Sequence, residues 1–474
     1  MSGVLNFFNE SFFVYYLTSN LIYLGLLITA LVATVKHQFR LAEMRIDPLY
    51  DSPFTPPITI LCPARNEEKS IVESVRALLD LKYPELEIIV INDGSSDRTL
   101  DRLIEEFSLV PVEMLYIQQI RSAALKHLYT SATETGLLVI DKISGGSKAD
   151  AINAGINAAT SPYICIIDAD SILEGDALFR IMSRVFTDST NVVAIGGIVR
   201  VLNGSTVERG RVTEIRLPKR PIEILQVIEY LRAFLIGREG WASFGMLPII
   251  SGAFGVFRTD VVRRVGGYRA DSVGEDLDLV VRMQRDLLER GVEHRVVFVP
   301  DPTCWTEVPS DLRTLSRQRS RWQKGLIDVL CVNSDMLFRR RYGLMGCLML
   351  PYLWAFELLE PAIELLGYAS MIIAACLGVL GADFFFKFLL FGYAFATMIS
   401  VGSVLLEELT YRRYTDWSEV AKLLVYCTLE HFPYRQLHMI WRLQGIWQYL
   451  RGDLHWREMR RVGFQPTSET GEHV

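Results

Sequence analysis

Several chemistries are missing from this sequence of 474 residues. No Cys-x-x-Cys pair occurs, and the seven cysteines (Cys62, Cys165, Cys304, Cys331, Cys347, Cys376 and Cys427) are scattered and odd in number. Neither a zinc site nor a disulfide framework is supported, so the thiols read as buried or lipid-facing in a reducing compartment. There is no G-x-G-x-x-G and no G-x-x-x-x-G-K-[ST]. That leaves the common dinucleotide site and the P-loop ATPase without support. Excess basic charge is absent too. The net charge is −6, which gives no nucleic-acid signal.

What is present is a mixture. Half of the residues are hydrophobic, yet 22% are charged. This implies a soluble unit joined to membrane segments, and the length implies two or three compact units. Phe12 to Val35 is almost wholly apolar and long enough to cross a hydrocarbon core of ~30 Å. It is too long for a cleaved signal peptide and lacks a basic region before it. Residues 1–45 are therefore expected to form a retained transmembrane helix. Lys36, His37, Arg40 and Arg45 follow the run while no Lys or Arg precedes it. The positive-inside rule then puts the N-terminus outside and the next domain, residues 53–309, in the cytosol.

In that domain Pro53, Pro56 and Pro57 mark a linker, and strands alternate with helices. Ile58–Cys62, Glu87–Ile91, Leu137–Ile140 and Ile164–Ile167 read as strands, each followed by a polar loop. This pattern predicts a nucleotide-binding α/β domain with a parallel sheet. Ile164–Ile167 ends in Asp168-Ala169-Asp170-Ser171. Two carboxylates at the C-terminal end of a buried strand lie where α/β sheets bind ligands. They suit a hard cation that keeps its other positions for water and phosphate. Asp-x-Asp-Ser is also ordinary turn chemistry.

Further on, Pro221 to Met246 has helical spacing and fits a core helix or one on the membrane surface. Ser251-Gly-Ala-Phe254-Gly is a glycine-spaced loop that a substrate could approach closely. Gly274-Glu275-Asp276-Leu277-Asp278 opens a helix with more carboxylates than dipole chemistry needs. Residues 310–342 hold a basic amphipathic helix with Gln318-Arg319-Ser320-Arg321-Trp322, which also fits an interfacial helix on anionic lipid. Residues 343–464 read as C-terminal membrane helices. Pro361–Leu380 and Phe384–Leu406 would form a hairpin, Leu344–Leu359 a surface segment, and Val420–Leu450 a broken helix. The tail 465–474 is expected to be disordered.

Four pieces in one order, Asp93, Asp168-x-Asp170, Glu275-Asp276 and Gln318-x-x-Arg321-Trp322, resemble the membrane-embedded family 2 glycosyltransferases. These include cellulose, chitin, hyaluronan and poly-N-acetylglucosamine synthases. The resemblance implies an α/β GT-A (Rossmann-like) cytosolic domain with interfacial helices, flanked by transmembrane α-helices in the inner (plasma) membrane. It implies a nucleotide-sugar donor, usually a UDP-sugar, contacted by Pro63, Arg65, Glu67, Asp93, Lys148, Asp150 and Arg321. Mg2+ or Mn2+ would sit on Asp168 and Asp170. Asp276 would be the general base, with Glu275 beside it and spacing alone not deciding between them. Trp322, Phe254 and Gln318 would face the acceptor, although Phe254 lies in Ser-Gly-Ala-Phe-Gly where cellulose synthases carry Phe-Cys-Gly. One base and no protein nucleophile imply inversion. The expected product is a growing β-linked polysaccharide, possible export included. Transfer of one sugar to a membrane lipid such as a polyprenyl phosphate, ceramide or diacylglycerol is the alternative. A transport or scaffold protein with an inactive transferase domain is disfavoured, because all the acidic positions are filled.

Overall fold

The computed structural model describes residues 2–43, 55–187, 191–208 and 210–453. The Pro53 end of the linker, Arg45 and the tail 465–474 lie outside the described residues. Twelve strands appear in the described chain. The first six are β1 (Ile58–Ala64), β2 (Leu86–Asp93), β3 (Leu109–Pro111), β4 (Leu125–Ser131), β5 (Leu137–Lys142) and β6 (Tyr163–Ile167). The others are β7 (Ile172–Leu173), β8 (Val192–Val201), β9 (Thr206–Glu208), β10 (Arg211–Glu214), β11 (Phe254–Arg258) and β12 (Arg295–Thr306).

Ten strands form one sheet in the order β3-β4-β5-β2-β1-β6-β11-β8-β12-β7. The run β5-β2-β1-β6 is parallel, and its apolar stretches are covered on both faces. Ile164 to Ile167 are fully buried. Here the strand-helix alternation holds, and the loops after β1, β2, β5 and β6 open at one edge of the sheet.

The expectation of a wholly parallel sheet is corrected. β11 runs antiparallel to both β6 and β8, and β4 runs antiparallel to β5. β11 follows a long helical excursion and enters the sheet reversed. Its side chains alternate in the same way for either direction, so its five residues do not reveal it. The sheet is therefore mixed, and helices cover it in the α/β manner.

The helical excursion runs from Pro221–Tyr230 through a π-helical stretch, Leu231–Arg238, into Glu239–Ser243. It is wedged between the sheet and the N-terminal helix. A Cβ on Gly240 would come within 2.8 Å of Leu26, so only glycine allows the two helices this close. The basic helix Leu312–Val332 starts at Asp311, whose carboxylate accepts the Thr314 N–H at 2.9 Å.

Among the described residues two helices are long and apolar enough to cross a membrane, Leu5–Arg40 within Ser2–Glu43, and Ala382–Thr410. The expected span Pro361–Leu380 appears as the shorter helix Glu360–Cys376. It reaches span length only together with Met345–Leu358, to which it is bent by 44°. The segment read as lying on the surface is thus half of a bent pair. Val420–Leu450 is broken as expected, into Trp417–Leu429 and Arg435–Leu450, with Phe432 non-helical between them.

Among the contacts that hold the long apolar helices to the sheet domain, two fix their ends. His37 Nε2 lies 2.9 Å from Asp301 Oδ1. Arg413 donates to Glu174 Oε1 at 2.8 Å and to Thr303 Oγ1 at 3.0 Å. At the other end Ser370 donates to Asn9 at 2.8 Å. The ends at His37 and Arg413 therefore share the transferase side, and the turn at Gly381 lies away from it. In a chain whose exposed Cys331, Cys347 and Cys376 are replaced, a cysteine at Asp383 should react with an impermeant thiol reagent only from the side opposite the transferase domain. One at Thr410 should react only from the transferase side, and labelling of both from one side would contradict this arrangement.

Candidate active site

The loops at the open edge of the sheet enclose a cavity of about 340 Å³. Pro63, Arg65 and Glu67 line it from the end of β1, Asp93 from β2, Lys148 from the helix Lys148–Ala158, and Asp168 from β6. The floor is held by Lys142, whose side chain is fully buried. Its ammonium donates to Asp93 Oδ1 and Asp150 Oδ2, both at 2.6 Å, and to the Ile143 carbonyl at 2.8 Å. A buried ammonium needs such partners. Asp93 also accepts from Ser144 Oγ at 3.2 Å and from Gly145 N at 3.3 Å. Arg65 donates to Ser144 Oγ at 3.0 Å. The strand ends are thereby tied into one rim.

A second cavity, about 550 Å³, is lined by Glu275, Asp276, Arg238, Trp241, Arg321 and Trp322 among others. One residue, Gly252, connects the two through its N–H and its carbonyl. Lys148 Nζ, which also pairs with Asp168 Oδ1, donates to the Gly252 carbonyl at 3.1 Å. The Gly252 N–H donates to Asp276 Oδ2 at 2.9 Å. A Cβ on Gly252 would stand 2.6 Å from Asp276 Oδ1, so the close approach requires glycine.

The Asp276 carboxyl is strongly perturbed. Burial, then the Glu275 carboxylate and Asp168, push the Asp276 carboxyl up to about 7, against the opposing pull of Lys148 and the Gly252 N–H. Burial lowers the basicity of Lys148, and Asp168, Asp276 and Glu275 more than reverse it. Asp278, the third acid of the run, turns the other way. It is fully buried and accepts from Arg282 at 2.7 Å.

The acidic helix Glu275–Glu289 and the basic helix Leu312–Val332 meet through glycine. A Cβ on Gly274 would stand 2.8 Å from the Gly325 Cα, and one on Gly325 would stand 2.7 Å from the Gly274 Cα. Four and three residues before Gly325 are Arg321 and Trp322, one turn along. Both therefore reach the cavity wall that Glu275 and Asp276 occupy. Trp322 is half exposed, with the Arg319 guanidinium 4.1 Å from its ring. Arg319 is itself held by Glu229 at 2.7 Å.

Four of the residues singled out from sequence line neither cavity, Asp170 among them. Asp150 lines neither cavity, because its carboxylate is turned to Lys142 and to the Ala123 N–H at 2.9 Å. It supports the smaller cavity rather than entering it. Phe254 is fully buried in β11 with its ring against Gly197, so it belongs to the sheet core and not to an acceptor surface. Gln318 is half-buried on the basic helix and lines neither cavity. Sequence reasoning missed Lys142, Gly252, Gly325 and Arg238. Arg238 stacks on Phe234 at 3.7 Å, its Nη1 is buried without a hydrogen-bond partner, and burial lowers its pKa to about 10. The π-helical stretch that ends at Arg238 is the local signal. Such irregular turns are frequent at functional sites.

Among the described residues no cluster of three or more His, Cys, Asp or Glu side chains could hold a metal ion. Asp168 and Asp170 offer only carboxylate oxygens. That donor set fits Mg2+ or Mn2+, which use one or two carboxylates plus phosphate and water, and does not fit zinc.

The glycine contact makes a prediction. Gly325→Ala forces the acidic helix and the basic helix apart, against backbone rather than a yielding side chain. Turnover should fall by on the order of 10²-fold, the size expected of a misplacement near 1 Å. UDP affinity, measured by titration, should weaken as well, because Arg321 is carried on the displaced helix. Unchanged turnover would contradict the constraint.

Comparison with known proteins identifies the family. Residues 56–325 match the glycosyltransferase-like family 2. The poly-β-1,6-N-acetyl-D-glucosamine synthase of Staphylococcus epidermidis is 27% identical over 280 residues, covering 58% of this chain and 55% of that one. The enzyme of the same description from Staphylococcus aureus (strain COL) is 29% identical over 275 residues, with the same coverage. The chain thus spans about half the length of the curated relatives it matches. A mannosyltransferase from Pyrobaculum calidifontis, solved with GDP-Man and Mn2+, superposes with a TM-score of 0.46 at 20% identity, covering 86% of this chain and 99% of that one. With more than half of its length matched, from the first sheet strand to the glycine at which the acidic and basic helices meet, the chain belongs to glycosyltransferase family 2 and has its GT-A-like fold.

Proposed function

We propose that this protein transfers a hexosyl or N-acetylhexosaminyl group, with inversion, from a UDP-sugar to a growing β-linked polysaccharide. The reaction takes place at the cytosolic face of the plasma membrane, and the polymer leaves through the membrane helices. The observation that carries this reading is the Gly252 peptide, which joins a nucleotide-sized pocket to the cavity holding a raised carboxyl. The activity of the poly-β-1,6-N-acetyl-D-glucosamine synthases supports the amino-sugar donor and the polymer product.

In this reading the nucleoside lies against Pro63, Arg65, Glu67 and Asp93, and the diphosphate faces Lys148 and Arg321. Asp168 and Asp170 hold Mg2+ or Mn2+, which offsets the negative charge of the leaving diphosphate. Arg321 gives a bidentate, charge-assisted contact that lysine does not reproduce. The Arg238 guanidinium, which lacks a carboxylate partner, adds positive charge on the same wall. Trp322 presents its face to the acceptor sugar.

The acceptor hydroxyl oxygen attacks the anomeric carbon while Asp276 takes its proton. The bond from that carbon to the diphosphate oxygen breaks, and UDP leaves with the electron pair. An α-linked donor then gives a β-linked product. Asp276 is favoured over Glu275 as the base because its carboxyl is raised toward neutrality, where a general base works best, and because Gly252 fixes its orientation. Transfer of a single sugar to a lipid is the second reading, favoured by the openness of the same cavity to the N-terminal membrane helix through Tyr23.

Asp276→Asn should lower transfer by on the order of 10²–10⁴-fold and leave UDP affinity near that of the parent. Glu275→Gln should cost much less, and the reverse ranking would reassign the base. The sign of the pH effect follows from the raised pKa. Asp276 is ionised above about pH 7 and protonated below, so turnover should fall about tenfold per unit as pH drops well below 7, with UDP binding little changed. Asp168→Asn should instead weaken metal-dependent UDP binding. EDTA should stop the parent enzyme, and Mg2+ or Mn2+ should restore it. Chromatography of the products with a UDP-sugar panel decides between a polymer ladder and one sugar per lipid.

A further inference from the structure

The proposed reaction gives Arg321 and Trp322 a task and leaves Arg319, in the same Gln318-Arg319-Ser320-Arg321-Trp322 run, without one. Arg319 lines neither cavity and is only 3% exposed. Two positions apart on a helix, Arg319 and Arg321 point about 160° apart, so Arg319 does not join Arg321 at the diphosphate. Arg319 and Trp322 are three positions apart and neighbours on one helix face. The Arg319 guanidinium lies over the Trp322 ring, 4.1 Å from its centre.

Three elements hold that guanidinium in place. Glu229 of the helix Pro221–Tyr230 accepts from its Nη2 at 2.7 Å. The same Glu229 Oε2 accepts from the Tyr434 hydroxyl at 3.0 Å, beside the start of the helix Arg435–Leu450. Nε and Nη1 of Arg319 are buried without a hydrogen-bond partner, and buried donors left unpaired are costly. A lysine would meet Glu229 with one ammonium and bury no such surplus. What the planar guanidinium adds is its flat contact with the indole, a cation–π stack that strengthens away from water. Trp322 lines the larger cavity and is half exposed. With one ring face under the guanidinium, the exposed part is what remains to meet a sugar. The stack holds the indole in one rotamer before the acceptor arrives, so binding does not bear the cost of ordering it.

We infer that Arg319 is a positioning residue for acceptor binding. Held by Glu229, it fixes the Trp322 indole in the orientation that takes the acceptor sugar, and it touches neither acceptor nor donor itself. The inference rests on the proposed transfer reaction, in which Trp322 meets the acceptor.

The test is a double-mutant cycle between Arg319 and Trp322 on the purified full-length chain in lipid nanodiscs, read by calorimetric titration with N-acetylchitotetraose. Arg319→Lys keeps the charge that pairs with Glu229 and loses the stack. It should weaken oligosaccharide binding about tenfold, the scale of a desolvated cation–π contact, and Trp322→Ala should weaken it at least as much. In the Trp322→Ala background Arg319→Lys should change the affinity by less than about twofold, because the ring it positions is gone. An arginine that only tied helices together would cost the same with or without the indole. Additive losses therefore overturn the inference, as does unchanged binding by Arg319→Lys. Arg319→Gln keeps a planar group over the ring without its charge and should lose about threefold. It carries the same cycle where the lysine variant fails to fold. A parent preparation that hydrolyses UDP-sugar but binds no oligosaccharide overturns the inference, and in that case the transfer reading survives. A non-additive cycle in a chain that turns over no UDP-sugar supports the positioning role and overturns the transfer reading.

Discussion

Backbone meets backbone where Gly274 touches Gly325, and the geometry of the site depends on that contact. Neither position has room for a Cβ. On one side of the contact the chain enters the acidic helix with Glu275 and Asp276. On the other, one turn back along the basic helix, stand Arg321 and Trp322. Closing this distance by any bulkier pair of residues would move the acids and the arginine-tryptophan pair apart by the width of a methyl group or more. Gly252 repeats the device on the opposite flank, where its peptide fits between Lys148 and Asp276. Two close approaches thus place one carboxylate between the smaller and the larger cavity. Glycine supplies both, at the entropic cost of a flexible residue in the unfolded chain.

Buried charge supplies the rest of the rigidity. Lys142 is enclosed between Asp93 and Asp150 and fixes the strand ends that carry the nucleotide pocket. Arg319 and Glu229 tie the basic helix to the helical excursion. Arg435 and Arg442 tie the last helix to Glu360 at the head of the Glu360–Cys376 helix. Such pairs contribute little net stability, because desolvation offsets their attraction, but breaking one by removing a partner is costly. They enforce one arrangement of helices around a cavity that must stay open and polar inside an apolar layer. A purely apolar interface would fill that space.

Much of this was legible in the sequence wherever local pattern and final environment agree. The apolar run Ile164–Ile167 is continuous because both its faces are covered, so the strand and its terminal aspartates could be read together. The run from Phe12 to Val35 needed only its length. The order of acidic pieces and the arginine-tryptophan pair carried the family. Other features depend on tertiary placement and left no local mark. Nothing in Phe-Gly-Val-Phe-Arg shows that β11 runs antiparallel. Phe254 and Asp150 sit in motif-like surroundings, yet one faces the core and the other a buried lysine. Lys142 at a strand end looks like any solvated lysine until Asp93 and Asp150 close over it. Gly325 reads as an ordinary helix glycine until the helix opposite is known. Glu360-Pro361 marked the break at Leu359, but the apolar run beyond it, Pro361–Leu380, is long enough by itself to read as a span, which concealed that its helix is paired with the one before it.

The account's central claim is that the two cavities form one reaction centre, with Asp276 at the junction. A structure of the full chain with a non-hydrolysable UDP-sugar analogue and an N-acetylated oligosaccharide tests this most directly. The nucleotide should occupy the pocket of Pro63, Asp93 and Asp168. The oligosaccharide should lie in the larger cavity across Trp322, with its terminal hydroxyl within hydrogen-bond reach of Asp276 and the donor's anomeric carbon on the far side of that hydroxyl. A donor bound entirely in the larger cavity would contradict the claim, as would an oligosaccharide seated away from Asp276.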